Sequence, residues 1–354
     1  DAENTSADTL TAFTATGFTV GDNARVGLDG NDYVAWCWKA SDTTVTNNDG
    51  TIESQVRAGN GFSIVTYTGN LSGNGTASVG HGLGQTPSMV ITKQLDGESR
   101  WCVMHTGLGA NDLLVLNKAD ASTSYPYGNL GLGDDSVFNT NYTAGMNNNG
   151  ANFVAYCFAE TDGSSFGSYT GVGKPNTVSI TTGFEPAFLM TKPTSDDGDW
   201  AIWDNARGPS NPNGANLYAN SSNEENPDGY FVDFNSDGFT ILGTTVGPSH
   251  NKTGVEYIYM AFAASESVTV EAISDTAAEM TVSGGDWEVD QTVVNTVVRA
   301  TQITPVSDEI TEVNDLVLSF SGDKDLGQFE ESDDVYQDAG FTAQTSEITG
   351  VEEG

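Results

Sequence analysis

Short runs of apolar and aromatic residues, separated by turn-forming residues, recur along the chain. The run Tyr33–Ala40 is aromatic at its first and sixth positions, and so are the runs Phe153–Glu160 and Tyr257–Ala264. Each run is too apolar for a strand with one face in water, so each is predicted to be a buried strand. No long segment shows the 3.6-residue period of an amphipathic helix. The pattern therefore predicts an all-β chain of short antiparallel strands.

The apolar runs belong to a longer self-similar unit of about 100 residues. Pro87–Lys93 is matched by Pro186–Lys192, and Trp101 is matched by Trp200, at the same offset of 99 positions. The shared tryptophan is expected to centre the core of each full unit. Many short strands in a unit of this length predict tandem antiparallel β-sandwich repeats, followed by a smaller β-rich acidic C-terminal segment.

The phasing of the repeat divides the chain into five segments. In order, they are the C-terminal half of a repeat at 1–40, a polar connector at 41–61, full repeats at 62–160 and 161–265, and an acidic β module with an extended arm at 266–354. Two strands alone are marginally stable, so the half-repeat is expected to pack on other protein. Because the chain starts inside a repeat, it is expected to be a processed product or part of a longer polypeptide.

Charge narrows the range of partners. The chain has 49 acidic and 12 basic residues and a formal net charge of −37. A basic face is needed for phosphate contacts, so the balance argues against nucleic acid as a partner. It also argues against docking on anionic lipid, and no apolar run is long enough to predict insertion into a membrane. Such a surface repels itself at low salt, which favours a salty or marine setting.

The candidate catalytic residues do not form a recognisable set. Three cysteines, an odd number, are predicted to be buried free thiols rather than a disulfide framework: Cys37, Cys102 and Cys157. His105 aligns with Asp204 of the other full repeat, and His81 lies in a glycine-rich turn. No nucleophile elbow is present. The chain is therefore predicted not to be an enzyme, although an accidental pair of glycosidase carboxylates stays open.

One segment resembles the start of a calcium loop. Asp233, Asn235 and Asp237 have the spacing of the first EF-hand ligands, and Gly238 follows them. The twelfth position is Thr244, where a bidentate Glu is needed. These three residues are the candidate metal ligands, with Ca²⁺ as the only cofactor considered. The alternative is an ordinary glycine turn between two strands.

Aromatic residues beside Asn and Asp in loops are candidates for binding a glycan. The candidates are Tyr125, Tyr127 and Tyr218. Ordinary packing of the loops is the alternative explanation for all three.

Several segments together point to a known family of repeats. They are Tyr33–Trp38, Asn48–Ala58, Gly61–Gly69, Val79–Gly84 and Met280–Trp287. They resemble a repeated module in tail-fibre and other virion structural proteins of marine tailed bacteriophages, cyanophages in particular. The resemblance covers roughly residues 15–290 and consists of fold motifs rather than catalytic ones.

The resemblance implies a protein on the virion surface, most simply a tail-fibre or appendage protein that attaches to the host cell. Its implied partners are other virion proteins, copies of itself in a homotrimer, and a host receptor or glycan. A capsid or tail decoration or connector protein is the first alternative. A cellular or biofilm adhesin is the second, and a depolymerase with a carboxylate-lined groove is the third.

Overall fold

The structure is a computed structural model of the chain. It describes residues 6, 8–14, 17–125, 129–142, 145–225, 231–243 and 250–264, together with the backbone of five short strands further along. Within these residues the secondary structure consists of strands and turns without a helix, which confirms the all-β prediction. The chain divides into two compact units, Asp1–Thr11 with Val20–Ala264, and Ala12–Thr19 with Ser265–Gly354.

The strands before residue 160 form three sheets. They are β1 (Leu10–Thr14), β2 (Gly17–Val20), β3 (Val45–Asn47), β4 (Ser54–Gly59), β5 (Phe62–Thr68), β6 (Thr76–Gly80), β7 (Met89–Gln94), β8 (Cys102–His105), β9 (Asp112–Val115), β10 (Thr123–Ser124), β11 (Val137–Asn141) and β12 (Asn152–Phe158). The first large sheet has the order β10-β9-β8-β7-β12-β5-β4-β3, and β11-β6 form the first small sheet. Strands β1 and β2 pair with each other and are exposed.

The strands between residues 160 and 264 form two more sheets. They are β13 (Ser164–Thr170), β14 (Val178–Thr181), β15 (Pro186–Pro193), β16 (Ala201–Asp204), β17 (Leu217–Tyr218), β18 (Val232–Asn235), β19 (Gly238–Ile241) and β20 (Glu256–Ala263). The second large sheet has the order β13-β20-β15-β16-β17, and β14-β19-β18 form the second small sheet. This order corresponds, strand by strand, to β5-β12-β7-β8-β9 of the first large sheet.

Five further strands are described by their backbone alone. They are β21 (Thr269–Ile273), β22 (Ala278–Ser283), β23 (Leu316–Leu318), β24 (Asp334–Tyr336) and β25 (Thr345–Glu347). Strand β22 pairs with β21 antiparallel and with β23 in parallel, and β24 pairs with β25 antiparallel. The rest of the predicted acidic module at 266–354 lies outside the described residues.

Each large sheet packs one face against its small sheet. Phe153 on β12 and Phe138 on β11 are buried in the first core, and Trp203 on β16 and Phe239 on β19 are buried in the second core. Successive side chains of a strand point to opposite faces, so these cores use every other residue of each strand.

The opposite faces of the two large sheets pack against each other. This junction core contains buried residues of the first sheet (Phe62, Met89, Ile91, Val103, Leu114, Phe158) and of the second (Phe166, Phe188, Met190, Trp200, Ile202, Ile258, Met260). A large sheet between two cores needs apolar residues on both faces, as fully covered sheets do. This explains why the runs that became β12 and β20 are apolar at almost every position.

The first run, Tyr33–Ala40, forms no strand, in contrast to its prediction. Trp36 and Trp38 pack against the junction core, whereas Cys37 is exposed. The prediction that all three thiols are buried is therefore wrong for Cys37 and confirmed for the other two. The physical reason is pairing: β12 has a hydrogen-bonded strand on each side, and no described strand pairs with the first run.

The segment 41–61, predicted as a connector, contains strands β3 and β4. Strand β4 pairs along its length with β5, and β3 pairs with β4, so both extend the first large sheet. Only Ser54 and Val56 of β4 are buried, and Arg57 is exposed. Backbone pairing at a sheet edge requires few apolar side chains, which explains the polar sequence.

Two tyrosines make corresponding contacts at the two large sheets. Tyr67 Oη donates to the carbonyl of Met146 at 2.8 Å, and Tyr169 Oη donates to the carbonyl of His250 at 2.9 Å. Both hydroxyls are buried. They tie the end of a large-sheet strand to the loop that precedes its central neighbour.

We expect Tyr67→Phe and Tyr169→Phe each to lower the free energy of unfolding by about 1 to 2 kcal/mol, because each leaves a buried carbonyl without its donor. Urea unfolding at one pH measures the change. The control is Tyr142→Phe, since Tyr142 is 38% exposed. Losses as small as that of the control would show that these hydroxyls do not support the fold.

Candidate functional site

The calcium-loop candidates lie in a β-hairpin. The register pairs Asn235 with Gly238, so Ser236 and Asp237 form a two-residue turn between β18 and β19. Asn235 Nδ2 donates to Thr240 Oγ1 at 3.1 Å. Among the residues that the structure describes, no group of three His, Cys, Asp or Glu side chains could hold a metal ion. The geometry is that of an ordinary turn between two strands, which was the alternative to a calcium loop. Ca²⁺ binding at this turn stays a prediction.

The two described glycan-binding candidates, Tyr125 and Tyr218, pack against different cores. Tyr125 packs against the first core and its hydroxyl accepts a hydrogen bond from Arg100, whose guanidinium carbon lies 5.8 Å from the ring centroid. Tyr218 on β17 packs against the second core. Tyr127 lies outside the described residues. Contacts within the protein partly bury both of these rings. Glycan binding by the two tyrosines stays a prediction.

The candidate catalytic residues His105, Cys102 and Cys157 are buried. His105 Nε2 donates to the carbonyl of Tyr259, and Nδ1 accepts from the backbone N–H of Gly107, both at 3.0 Å. Burial lowers the pKa of His105 to about 4, so its ring is neutral at neutral pH. Burial raises the pKa of Cys102 to about 11 and that of Cys157 to about 12. These thiols are therefore protonated and poor nucleophiles.

The glycine-rich segment around His81 is a loop, as its sequence indicates. His81 Nε2 donates to the carbonyl of Asp134 at 3.1 Å, and Nδ1 accepts from the N–H of Leu83 at 3.1 Å. Gly82 has a φ of 68°, and a Cβ there would lie 2.8 Å from a methyl group of Val56. The glycine thus lets the loop approach β4 closely, which is a structural role.

The sequence offered little signal for an ion cluster beside the junction core. The buried carboxylate of Asp204 accepts from Arg207 Nε at 2.7 Å and from Trp36 Nε1 at 3.2 Å. Arg207 also pairs with Glu225 at 2.6 Å. The only signal in the sequence was Asp204, which aligns with His105 and is followed three residues later by Arg207. The cluster holds Trp36 in place rather than presenting a free carboxylate.

A buried lysine was also missed. Lys192 is 0% exposed, and its Nζ donates to the carbonyls of Pro193 at 2.7 Å, Asp120 at 3.0 Å and Ala119 at 3.3 Å. Burial lowers its pKa to about 8, against the opposing effect of the nearby Asp197 carboxylate. Ala119 and Asp120 follow β9. This ammonium group therefore ties the region of β13 to β20, called here the second repeat region, to the region of β5 to β12, the first repeat region.

A cavity of about 490 Å³ opens at one end of the junction core. Its lining is mostly glycine backbone and apolar side chains, and Lys39 is its only ionisable residue. The lining residues are Trp38, Lys39, Ala40, Ser41, Ala58, Gly59, Asn60, Gly61, Phe62, Thr161, Gly163, Ser164 and Phe262. Among its described lining residues there is no acid–base pair and no set of metal ligands.

His105 makes the protein sensitive to acid. Its folded pKa of about 4 lies below the roughly 6.5 of an unfolded chain, so between these values the unfolded state binds more protons. The stability that this neutral histidine contributes is present above pH ~6.5 and is lost as the pH falls to ~4. We expect the loss to be on the order of 3 kcal/mol, at about 1.4 kcal/mol for each pKa unit.

The measurement is urea unfolding of the parent and of His105→Gln across this pH range. Glutamine keeps an N–H donor for Tyr259 and does not titrate. Other acidic groups titrate in both proteins, so the parent should lose more stability than the variant. A difference between the two that stays constant with pH would contradict this role.

The sequence matches a known protein family along most of its length. No helix among the described residues is long and apolar enough to cross a membrane. No curated protein matches the sequence, and no solved structure matches it. Residues 1–266 match the family described as Domain of unknown function (DUF7483). The match spans both large sheets and the run Tyr33–Ala40, and the chain therefore belongs to the DUF7483 family.

Proposed function

We propose that this protein is a non-enzymatic structural protein of a bacteriophage virion, and that it acts as a tail-fibre or appendage protein in attachment to the host cell. The observation that carries the proposal is structural: among the described residues, polar side chains beside the junction core bond to groups on its other side. His105 and Lys192 bond from one repeat region to the other, and Asp204 bonds to Trp36 in the run Tyr33–Ala40.

The segments that resemble phage modules support the proposal by their positions in the fold. Gly61–Gly69 contains β5, a strand of the first large sheet, and Val79–Gly84 contains the tight loop at His81. The run Tyr33–Trp38 packs on the junction core. Residues at these positions determine how the protein packs. This is expected when the resemblance to the phage modules is a resemblance in fold.

The surface charge supports a particle exposed to salt water. The net charge of −37 comes with only 12 basic residues, and one of them, Lys192, is buried. Uncompensated acidic groups keep a protein soluble, and salt screens their mutual repulsion. The proposed partners are other virion proteins, further copies of the chain, and a host surface receptor or glycan.

Immunogold imaging of purified virions tests the proposal. An antibody to the protein should label the tail or its appendages. The control is the same antibody after adsorption with the full chain, which should remove the label. Particles that carry no label would contradict a virion role. Label confined to the head would instead support the decoration protein and overturn the attachment role.

The second part of the test is binding of the full chain to host cells at the ionic strength of seawater. Cells of an unrelated bacterium are the control. Binding to host cells alone supports attachment, whereas equal binding to both or to neither contradicts it. Tyr125→Ala can be tested in the same assay, with Tyr142→Ala as the control because Tyr142 is an exposed tyrosine that is not a glycan-binding candidate.

A further inference from the structure

Three neighbouring positions differ in polarity between the first core and the second core. In the first core these positions hold apolar side chains, which are Met104, Leu113 and Met146. In the second repeat region the same positions hold side chains with nitrogen or oxygen atoms, which are Trp203, Asn216 and His250. All six residues are buried. Apolar side chains therefore satisfy this part of the fold, and the polar set is particular to the second repeat region.

The register of β16 and β17 places Asn216 beside Trp203. Ile202 pairs with Leu217, and the next residues along the two chain segments are Trp203 and Asn216. Tyr218 packs against the second core, and alternation along the strand puts Asn216 on the same face. Trp203 belongs to that core as well. The indole and the amide are therefore neighbours on the face that the second small sheet covers.

The same register in the first large sheet brings two apolar residues together. Val103 pairs with Leu114, and the next residues along the two strands are Met104 and Leu113. Both belong to the first core, as does Met146. No polar side chain needs a partner at this place in the first core.

His250 completes the polar set. Its ring centroid lies 5.1 Å from that of Trp203, with an angle of 65° between the ring planes. The equivalence of His250 and Met146 follows from the tyrosine contacts, because their carbonyls accept from Tyr169 and Tyr67 respectively. The imidazole therefore forms a wall beside the indole of Trp203.

The polar side-chain atoms of Trp203 and Asn216 have no hydrogen-bond partner among the described residues. These atoms are the indole nitrogen of Trp203 and both the nitrogen and the oxygen of the Asn216 amide. Both residues are 0% exposed, so bulk water does not reach them. Buried polar groups in native proteins are hydrogen-bonded, and an ordered water is the usual partner where the protein supplies none.

We propose that Trp203 and Asn216, with His250 beside them, form a buried binding site for an ordered water. Water suits these atoms because it both accepts and donates: it accepts from the Trp203 N–H and donates to Asn216 Oδ1. An anion would leave Asn216 Oδ1 without a donor, and a metal ion would face the N–H of Trp203. The site thus bridges β16 and the segment that enters β17 through the water.

Nuclear Overhauser spectroscopy between water and the indole N–H protons tests the proposal on the full chain labelled with ¹⁵N-tryptophan. The Trp203 N–H should give a cross peak at the water frequency, with the sign of a long-lived bound molecule. Trp200 is the matched control, because it is 1% exposed and its indole N–H donates to the carbonyl of Val115 at 3.0 Å. It should give no such cross peak. Trp203→Phe and Trp200→Phe identify the two signals.

Asn216→Leu gives the second readout, since it installs the residue type of the first core. It removes the acceptor of the water, so the cross peak should disappear while the Trp203 N–H signal remains. The unfolding equilibrium constant should rise about tenfold, because the indole N–H then loses its partner. Asn223→Leu, at an exposed position, is the control and should leave the cross peak in place.

The parent spectrum decides the proposal even if Asn216→Leu does not fold. A Trp203 N–H without a water cross peak in the parent would overturn the site. A folded Asn216→Leu variant that keeps the cross peak would also overturn it. So would a variant more stable than the parent, because the amide of Asn216 would then have been buried without a partner.

Discussion

Burial of one face of the eight-stranded sheet against one face of the five-stranded sheet is the interaction on which the rest of the structure depends. It requires apolar side chains on both faces of the central strands, and it buries polar groups near the strand ends. Polar groups there need partners. His105, Lys192 and Trp200 find theirs in backbone carbonyls on the other side of the junction. The junction therefore determines both the apolar runs of the sequence and the unusual burial of a histidine and a lysine.

The same constraint explains how the polar side chains at the junction are engaged. His105 is hydrogen-bonded at both ring nitrogens, and the Asp204 carboxylate accepts from Arg207 and Trp36. The thiols of Cys102 and Cys157, whose pKa values are raised by burial, lie in the first core. What the molecule presents outward is acidic charge and the edges of its sheets. Such a surface is compatible with the structural role in a salty medium that we propose.

Much of the fold could be predicted from local pattern, and the rest depended on pairing between distant residues. Phe153–Glu160 and Tyr257–Ala264 were identifiable as buried strands because an apolar run needs no knowledge of its neighbours. Tyr33–Ala40 has the same pattern, but its state depends on flanking strands that the described chain does not supply, so both its strand and the burial of Cys37 were mispredicted. Strands β3 and β4 were missed because backbone hydrogen bonds hold them at this end of the sheet, and such pairing needs few apolar side chains. At the candidate site, Asp233 and Asn235 had metal-ligand spacing, yet spacing alone does not distinguish a calcium loop from a tight hairpin.

Native-state hydrogen exchange of Met190→Ala tests most directly whether the junction core makes the two repeat regions one cooperative structure. Met190 lies on β15 and faces the junction, and loss of such a side chain costs about 3 kcal/mol. The account predicts that the slowest-exchanging amides of β7 and β12 lose as much protection as those of β15 and β20, because both sheets open together. Loss of protection confined to the second large and small sheets would contradict it, and would show that each repeat region is stable without the other.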